Sequence, residues 1–331
     1  MALMTRPIAV PVATLASGAE LQVVIHELGG QAGDGPTLGL SACLHGDEQV
    51  STEILYRFLQ QLNPAGLKGR LLIVPVANPL AYEAITRHTP LDMQNLNRVF
   101  PGGGEGFLTH QLAKVLVAEF LDRVDYYVDL HAGGAYATVD YVYLANAEDL
   151  SRAFGSAVLF RPPAGYGYPG STASYTVGRG IPTVTVELGG GAIDQSDYVR
   201  RGVAGLFNVL RRIGMLEGEP TAPPSQIVLN SLVTLRPRAG GLLLPDVTAL
   251  HAEIPKGTIL GRTLSPYAFN ELETLRAPFE RSITVLIRPG PCRINPGDFG
   301  YMIGDLATAD GNAHTIERGS GRATWDERID R

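Results

Sequence analysis

Apolar and polar positions divide the chain into two unlike parts. Up to about residue 216, apolar runs of strand length alternate with longer stretches of helical period. LQVVIHEL (21–28) and TLGLSACL (37–44) predict strands. EQVSTEILYRFLQQL (48–62) places Val50, Ile54, Leu55, Phe58, Leu59 and Leu62 on one face and predicts a helix. GRLLIVPVANP (69–79) predicts a buried strand closed by turn residues. LTHQLAKVLVAEFLDRV (108–124) is amphipathic and feeds directly into the strand DYYVDLHAGG (125–134). VDYVYLA (139–145) and IPTVTVELGGG (181–191) predict further strands. DQSDYVRRGVAGLFNVLRRIGML (194–216) predicts a long closing helix, started at Asp194 or Ser196 and stopped at Gly214. The opening residues predict a strand, since Pro7, Pro11 and a single nearby cation argue against a leader peptide. Strands alternating with helices predict an α/β/α sandwich around a mostly parallel mixed sheet. In such sheets ligands bind beyond the carboxyl ends of the strands.

The pattern changes at EGEPTAPPSQ (217–226), a Pro-rich linker. Residues 1–216 are expected to carry the chemistry, 227–306 to form a smaller all-β domain, and 307–331 to be a polar tail. Within the β region, IPKGTILGRTL (254–264) and INPGDFGYMIGDL (294–306) echo one another. Two hairpin-like halves resemble the barrel-sandwich fold of biotinyl and lipoyl domains, as does the Ala-Pro in ETLRAPFERSITV (273–285). The modified lysine of such domains would fall near Asn270; an amide is not a nucleophilic amine, so no attached biotin or lipoate is expected.

Charge narrows the partners. The net charge is −6 without a basic stripe, which argues against nucleic acid or an anionic membrane surface. No apolar run reaches transmembrane length. Cys43 and Cys292 lie far apart, as expected of buried thiols in a reducing, cytoplasmic setting rather than of a disulfide framework.

Polar residues at predicted strand ends suggest chemistry. His45 and Glu48 follow one strand, His131 ends another and Glu187 a third. All four therefore fall on one edge of the sheet. A His-x-x-Glu pair alone is more often a helix-start feature. With His131 it becomes a ligand set for one zinc ion per chain, three protein ligands leaving a position for water. Glu187 would then move the proton. Asp129 shares a strand face with His131 and either fixes its tautomer or caps a neighbour. Cys43 lies two before His45, on the same strand face, and is expected in the core. In RHTPLDMQNLNRVFPGG (87–103), Asn97 and Arg98 suit a substrate carboxylate and Arg87 an oxyanion. His26, His110 and His314 read as structural or solvated, and His88 as a surface residue. RPPAGYGYPGSTASY (161–175) is expected to line the pocket, with Tyr166 or Tyr267 reaching in.

HGDE, NLNR, DLHAGG and VELGGG, in this order, resemble the succinylglutamate desuccinylase/aspartoacylase family of the zinc carboxypeptidase superfamily, over about residues 37–215. Within the family, the NLNRVFPG loop and the barrel-like tail most resemble the branch of N-acetyl-diaminobutyrate deacetylases. This resemblance implies zinc ligands at His45, Glu48 and His131, a general acid/base at Glu187, substrate contacts at Asn97 and Arg98, and a role for Arg87 upstream of them. It also implies a substrate contact for Arg179, and a C-terminal β-domain that partly covers the site. One departure is Asn95, where many superfamily members carry an Asp that contacts a ligand histidine; a neutral amide orients it less strongly. The resulting expectation is a zinc-dependent deacylase of a small N-acyl amino acid. A metallocarboxypeptidase for short peptides and a non-catalytic zinc-binding partner protein are the alternatives. A homo-oligomer stays open.

Overall fold

The computed structural model describes residues 5–163, 168–221, 223 and 225–310. Tyr166, His314 and most of the expected tail lie outside these. The first part comprises β1 (Arg6–Thr14), β2 (Glu20–Gly29), β3 (Thr37–Ala42), α1 (Val50–Gln61), β4 (Arg70–Val74), α2 (Pro79–Ala84), α3 (Leu108–Glu119), β5 (Tyr126–His131), β6 (Thr138–Tyr143), α4 (Glu148–Phe154), β7 (Val158–Phe160), α5 (Thr172–Gly178), β8 (Thr183–Gly189) and α6 (Ser196–Arg212). At its centre β4, β3, β5 and β8 run parallel, and antiparallel strands flank them on both sides.

Side-chain alternation along these strands sorts the residues between two layers. Leu38, Leu40, Val128, Leu130, Val184 and Val186 face a core shared with α1, α4 and α6. Leu72, Val74 and Tyr127 face α3 on the other side. By the same alternation Ser41, Asp129, His131, Thr185 and Glu187 belong to the α3 side. The polar residues of the chemistry thus share one face, and the α1–α6 layer is left free to be apolar.

Two local expectations are corrected. Strand β3 ends at Ala42, and Cys43 takes a left-handed φ of 51°. Its thiol sits 3.1 Å from Thr52 Oγ1, turned back onto the start of α1 rather than along a strand face with His45. The start of α6 falls between the two residues expected to cap it. Gln195 occupies the cap position without a side-chain cap bond, while Asp194 Oδ1 accepts from the backbone N–H and hydroxyl of Ser196.

The second part holds β9 (Ile227–Leu229), β10 (Leu232–Leu235), β11 (Gly241–Pro245), β12 (Glu253–Pro255), β13 (Ile259–Leu264), β14 (Glu271–Arg276), β15 (Arg281–Ile287), β16 (Cys292–Ile294) and β17 (Tyr301–Asp305). An antiparallel sheet, β14-β13-β11-β16, stands apart. The other strands extend the main sheet: β15 pairs with β6 at Leu286↔Val139 and Ile287↔Thr138, and β9 pairs with β7. The echoing segments become β12–β13 and β16–β17, tied by Tyr301, whose hydroxyl donates to Leu260 O at 2.5 Å. Asn270 lies in the turn between β13 and β14.

Candidate active site

His45 and Glu48 lie on the loop that leaves β3 for α1. Gly46 lets this loop press on α2, where a Cβ would meet the Ala81 carbonyl carbon at 1.9 Å. His131 is the last residue of β5. The three side chains are 2–4% exposed, and one donor atom from each lies within 4.8 Å of the others. Each imidazole spends Nε2 outward. His45 Nε2 is 3.2 Å from Asn95 Oδ1, and His131 Nε2 is 3.0 Å from Asp129 Oδ2. Both Nδ1 atoms therefore turn to Glu48, at 2.7 and 2.9 Å from its two oxygens. Two imidazole nitrogens and a carboxylate, buried, convergent and held from behind, fit the donor set of a catalytic zinc.

Electrostatics follow from burial and these neighbours. Burial takes His45 down to about 4, with Arg87 adding to the effect. For Glu48, burial acts upward but His45 and His131 outweigh it, holding the carboxyl well below its usual range. His131 moves the other way: burial lowers it, and the charges of Asp129 and Glu48 carry it well above. Burial also acts upward on Asp129, but His131, Thr172 and Ser41 hold it low.

Glu187 sits on β8, in register with His131 on one side and Tyr141 on the other. Burial pushes its carboxyl up to about 8; His131 opposes this and Glu48 adds to it. Arg87 Nη1 donates to Glu48 Oε1 at 3.2 Å. Asn97 and Arg98 lie in a short turn, Leu96–Arg98. Asn97 Oδ1 accepts from Thr172 N at 2.9 Å, and its Nδ2 is 3.3 Å from His131 Nε2. The Arg98 guanidinium stacks 4.1 Å over Tyr168. His45, Glu48, Arg87, Asn97, Arg98, Asp129, His131, Tyr168 and Glu187 line one cavity of about 1140 Å³.

Arg179 lies apart from these residues. It ends α5 at the surface, its side chain 57% exposed and 3.6 Å from Asp122, and it does not line the cavity. Tyr267 is 92% exposed on the β13–β14 turn and does not reach the site either. His88, by contrast, lines the cavity.

The catalytic-domain model of the succinylglutamate desuccinylase/aspartoacylase family matches residues 34–213. The chain belongs to this family. An N-alpha-acetyl-L-2,4-diaminobutyric acid deacetylase of Halomonas elongata is 27% identical over 290 residues, 83% of each chain. Among solved structures, a succinylglutamate desuccinylase from Silicibacter sp. is 25% identical with a TM-score of 0.78, covering 92% of this chain and 99% of its own. A product-bound ectoine utilization protein from Ruegeria pomeroyi, 23% identical, has the same fold with a TM-score of 0.78, over 92% of this chain and 100% of its own. No helix among the described residues is long and apolar enough to cross a membrane.

Several supports of the candidate site carry no sequence motif. Thr172 Oγ1 and Ser41 Oγ both donate to Asp129, at 2.6 and 2.8 Å, and the Tyr127 hydroxyl is 2.6 Å from Ser41 Oγ. Residues 286–302 of the second part supply another wall of the cavity, including Arg288, Arg293 and Phe299.

Proposed function

We propose that the protein is a zinc-dependent hydrolase that removes the acyl group from a small N-acyl amino acid. The observation that carries this reading is the buried His45–Glu48–His131 set, with Glu187 one strand over from His131 at the edge of the cavity. A zinc ion held there supplies the Lewis acidity that polarises an acyl carbonyl and acidifies water. Asn95 and Asp129 orient the two imidazoles from behind. Glu187 takes a proton from the attacking water and passes it to the amide nitrogen as the C–N bond breaks. Arg87 donates to the oxyanion that forms on the acyl oxygen. Arg98, braced on Tyr168 with Asn97 beside it, holds the substrate carboxylate. The unpaired Cys43 and Cys292 support a cytoplasmic location.

The test is Glu187→Gln, assayed with a panel of N-acyl amino acids and short peptides at saturating zinc. The variant retains bound zinc by elemental analysis while kcat falls by about 10²–10⁴. Undiminished turnover rejects the role of Glu187, and a preference for peptides rejects the substrate class.

A further inference from the structure

One buried residue touches both halves of the site. Thr172 is the first residue of α5, after the cap residue Ser171, and is 2% exposed. Its hydroxyl donates to Asp129 Oδ2 at 2.6 Å, and the same oxygen lies 3.0 Å from His131 Nε2. Its backbone N–H donates to Asn97 Oδ1 at 2.9 Å. The first contact steadies the carboxylate behind an imidazole of the ligand set. The second decides which way the Asn97 amide is turned. With Oδ1 on Thr172, Nδ2 faces His131 Nε2 at 3.3 Å. A ring nitrogen that gives its hydrogen to Asp129 cannot also accept one, so the Asn97 NH2 finds its acceptor in the cavity that Asn97 lines. Reversing the amide would set its NH2 against the Thr172 N–H, donor against donor.

The residues before Thr172 are fitted to the same turn. Phe100 N donates to Gly170 O at 2.8 Å, a Cβ on Gly170 would meet Arg98 O at 2.1 Å, and the Tyr168 ring carries the Arg98 guanidinium. Ser41 also donates to Asp129, but its other partner is the Tyr127 hydroxyl.

We propose that Thr172 is a positioning residue for both halves of the reaction: its hydroxyl holds Asp129 on His131, and its backbone N–H holds the Asn97 amide with the NH2 presented to the substrate. This rests on the deacylase reading and adds to it a residue that sets the metal side and the substrate side in register.

The two contacts can be removed in steps. Thr172→Val keeps the shape and loses the hydroxyl. Thr172→Pro loses the hydroxyl and the N–H together, at the helix position where proline is best tolerated, after a Ser171 whose ψ of 158° suits a following proline. Competition with a chelator reads zinc affinity, kinetics at saturating zinc read KM and kcat, and thermal melting reads the fold. Thr172→Val weakens zinc binding by about tenfold, the scale of a lost support behind a ligand imidazole, and leaves KM as in the parent. Thr172→Pro weakens zinc binding equally and raises KM as well, by about tenfold, the scale of a hydrogen bond to a charged group. Ser41→Ala weakens zinc binding without moving KM. Thr172→Ser keeps both contacts and restores both readings. Parent-like zinc affinity in Thr172→Val, equal KM in Thr172→Val and Thr172→Pro, or a Thr172→Ser as impaired as Thr172→Val overturns the proposal. If Thr172→Pro does not fold, the contrast between Thr172→Val and Thr172→Ser decides alone. Absence of turnover on every N-acyl amino acid counts against the deacylase reading instead, and the zinc affinities, which need no substrate, then decide the role of the hydroxyl.

Discussion

At the scale of residues, the site is a set of buried charges, each held by a partner whose geometry limits what it can do. His45 and His131 differ mainly in what stands behind them. His131 has the carboxylate of Asp129, itself accepting from Ser41 and Thr172; His45 has only the Asn95 amide at 3.2 Å. An amide accepts a hydrogen bond but brings no charge, so His45 is the less basic imidazole. Asn95→Asp is therefore expected to tighten metal binding by about tenfold, within the range over which such supporting partners act. Competition with a chelator measures it, and unchanged affinity would show that the Asn95 contact does not tune the ligand. Asn95 stood out in the sequence because it interrupts a motif. Thr172 did not, because its bond to Asp129 spans 43 residues and a threonine at the start of a helix reads as an ordinary polar residue.

Secondary-structure elements decide which face the chemistry occupies. Alternation along β3, β5 and β8 sends the aliphatic residues to the α1–α6 layer and Ser41, Asp129, His131 and Glu187 to the other. Helix α6 is fixed to β6 by more than apolar contact. Arg201 Nη2 donates to Asp140 Oδ2 at 2.7 Å, while Asp140 is 4% exposed and its Oδ1 has no partner. Removing the guanidinium leaves that carboxylate buried and unpaired, so Arg201→Met is expected to cost about 3–5 kcal/mol. Urea unfolding measures the loss. Adding Asp140→Asn to the same chain recovers part of it, because the remaining buried group is then neutral. A loss below about 1 kcal/mol would show that solvent or His251 already satisfies Asp140.

Across the whole molecule, the main sheet runs on past the Pro-rich segment. Strand β15 hydrogen-bonds to β6, and Val139, Tyr141 and Phe160 share an apolar cluster with Ile283, Val285 and Leu286. A chain cut after Gln226 would expose the β6 edge and half of this cluster. It is expected to lose near-UV circular dichroism and to bind hydrophobic dyes. Retention of the full chain's deacylase activity would show that the first part folds and works alone. The same continuity brings Arg288 and Arg293 to the cavity, more than a hundred residues after Glu187 in the chain.

Local pattern determined much of this protein. Strand and helix periods marked most elements of the first part, though not α2, α4, β7 or α5, and polar residues at strand ends marked His45, Glu48, His131 and Glu187 as candidates, because period 2 and period 3.6 are properties of short segments. Tertiary structure decided the rest. It turned Cys43 back from the strand face, took Arg179 to the surface, assembled Ser41, Thr172 and Tyr127 behind Asp129, and carried the second part's arginines to the cavity. Each depends on contacts between residues far apart in the chain, and such contacts are set by how whole elements pack, which no window of neighbouring residues encodes.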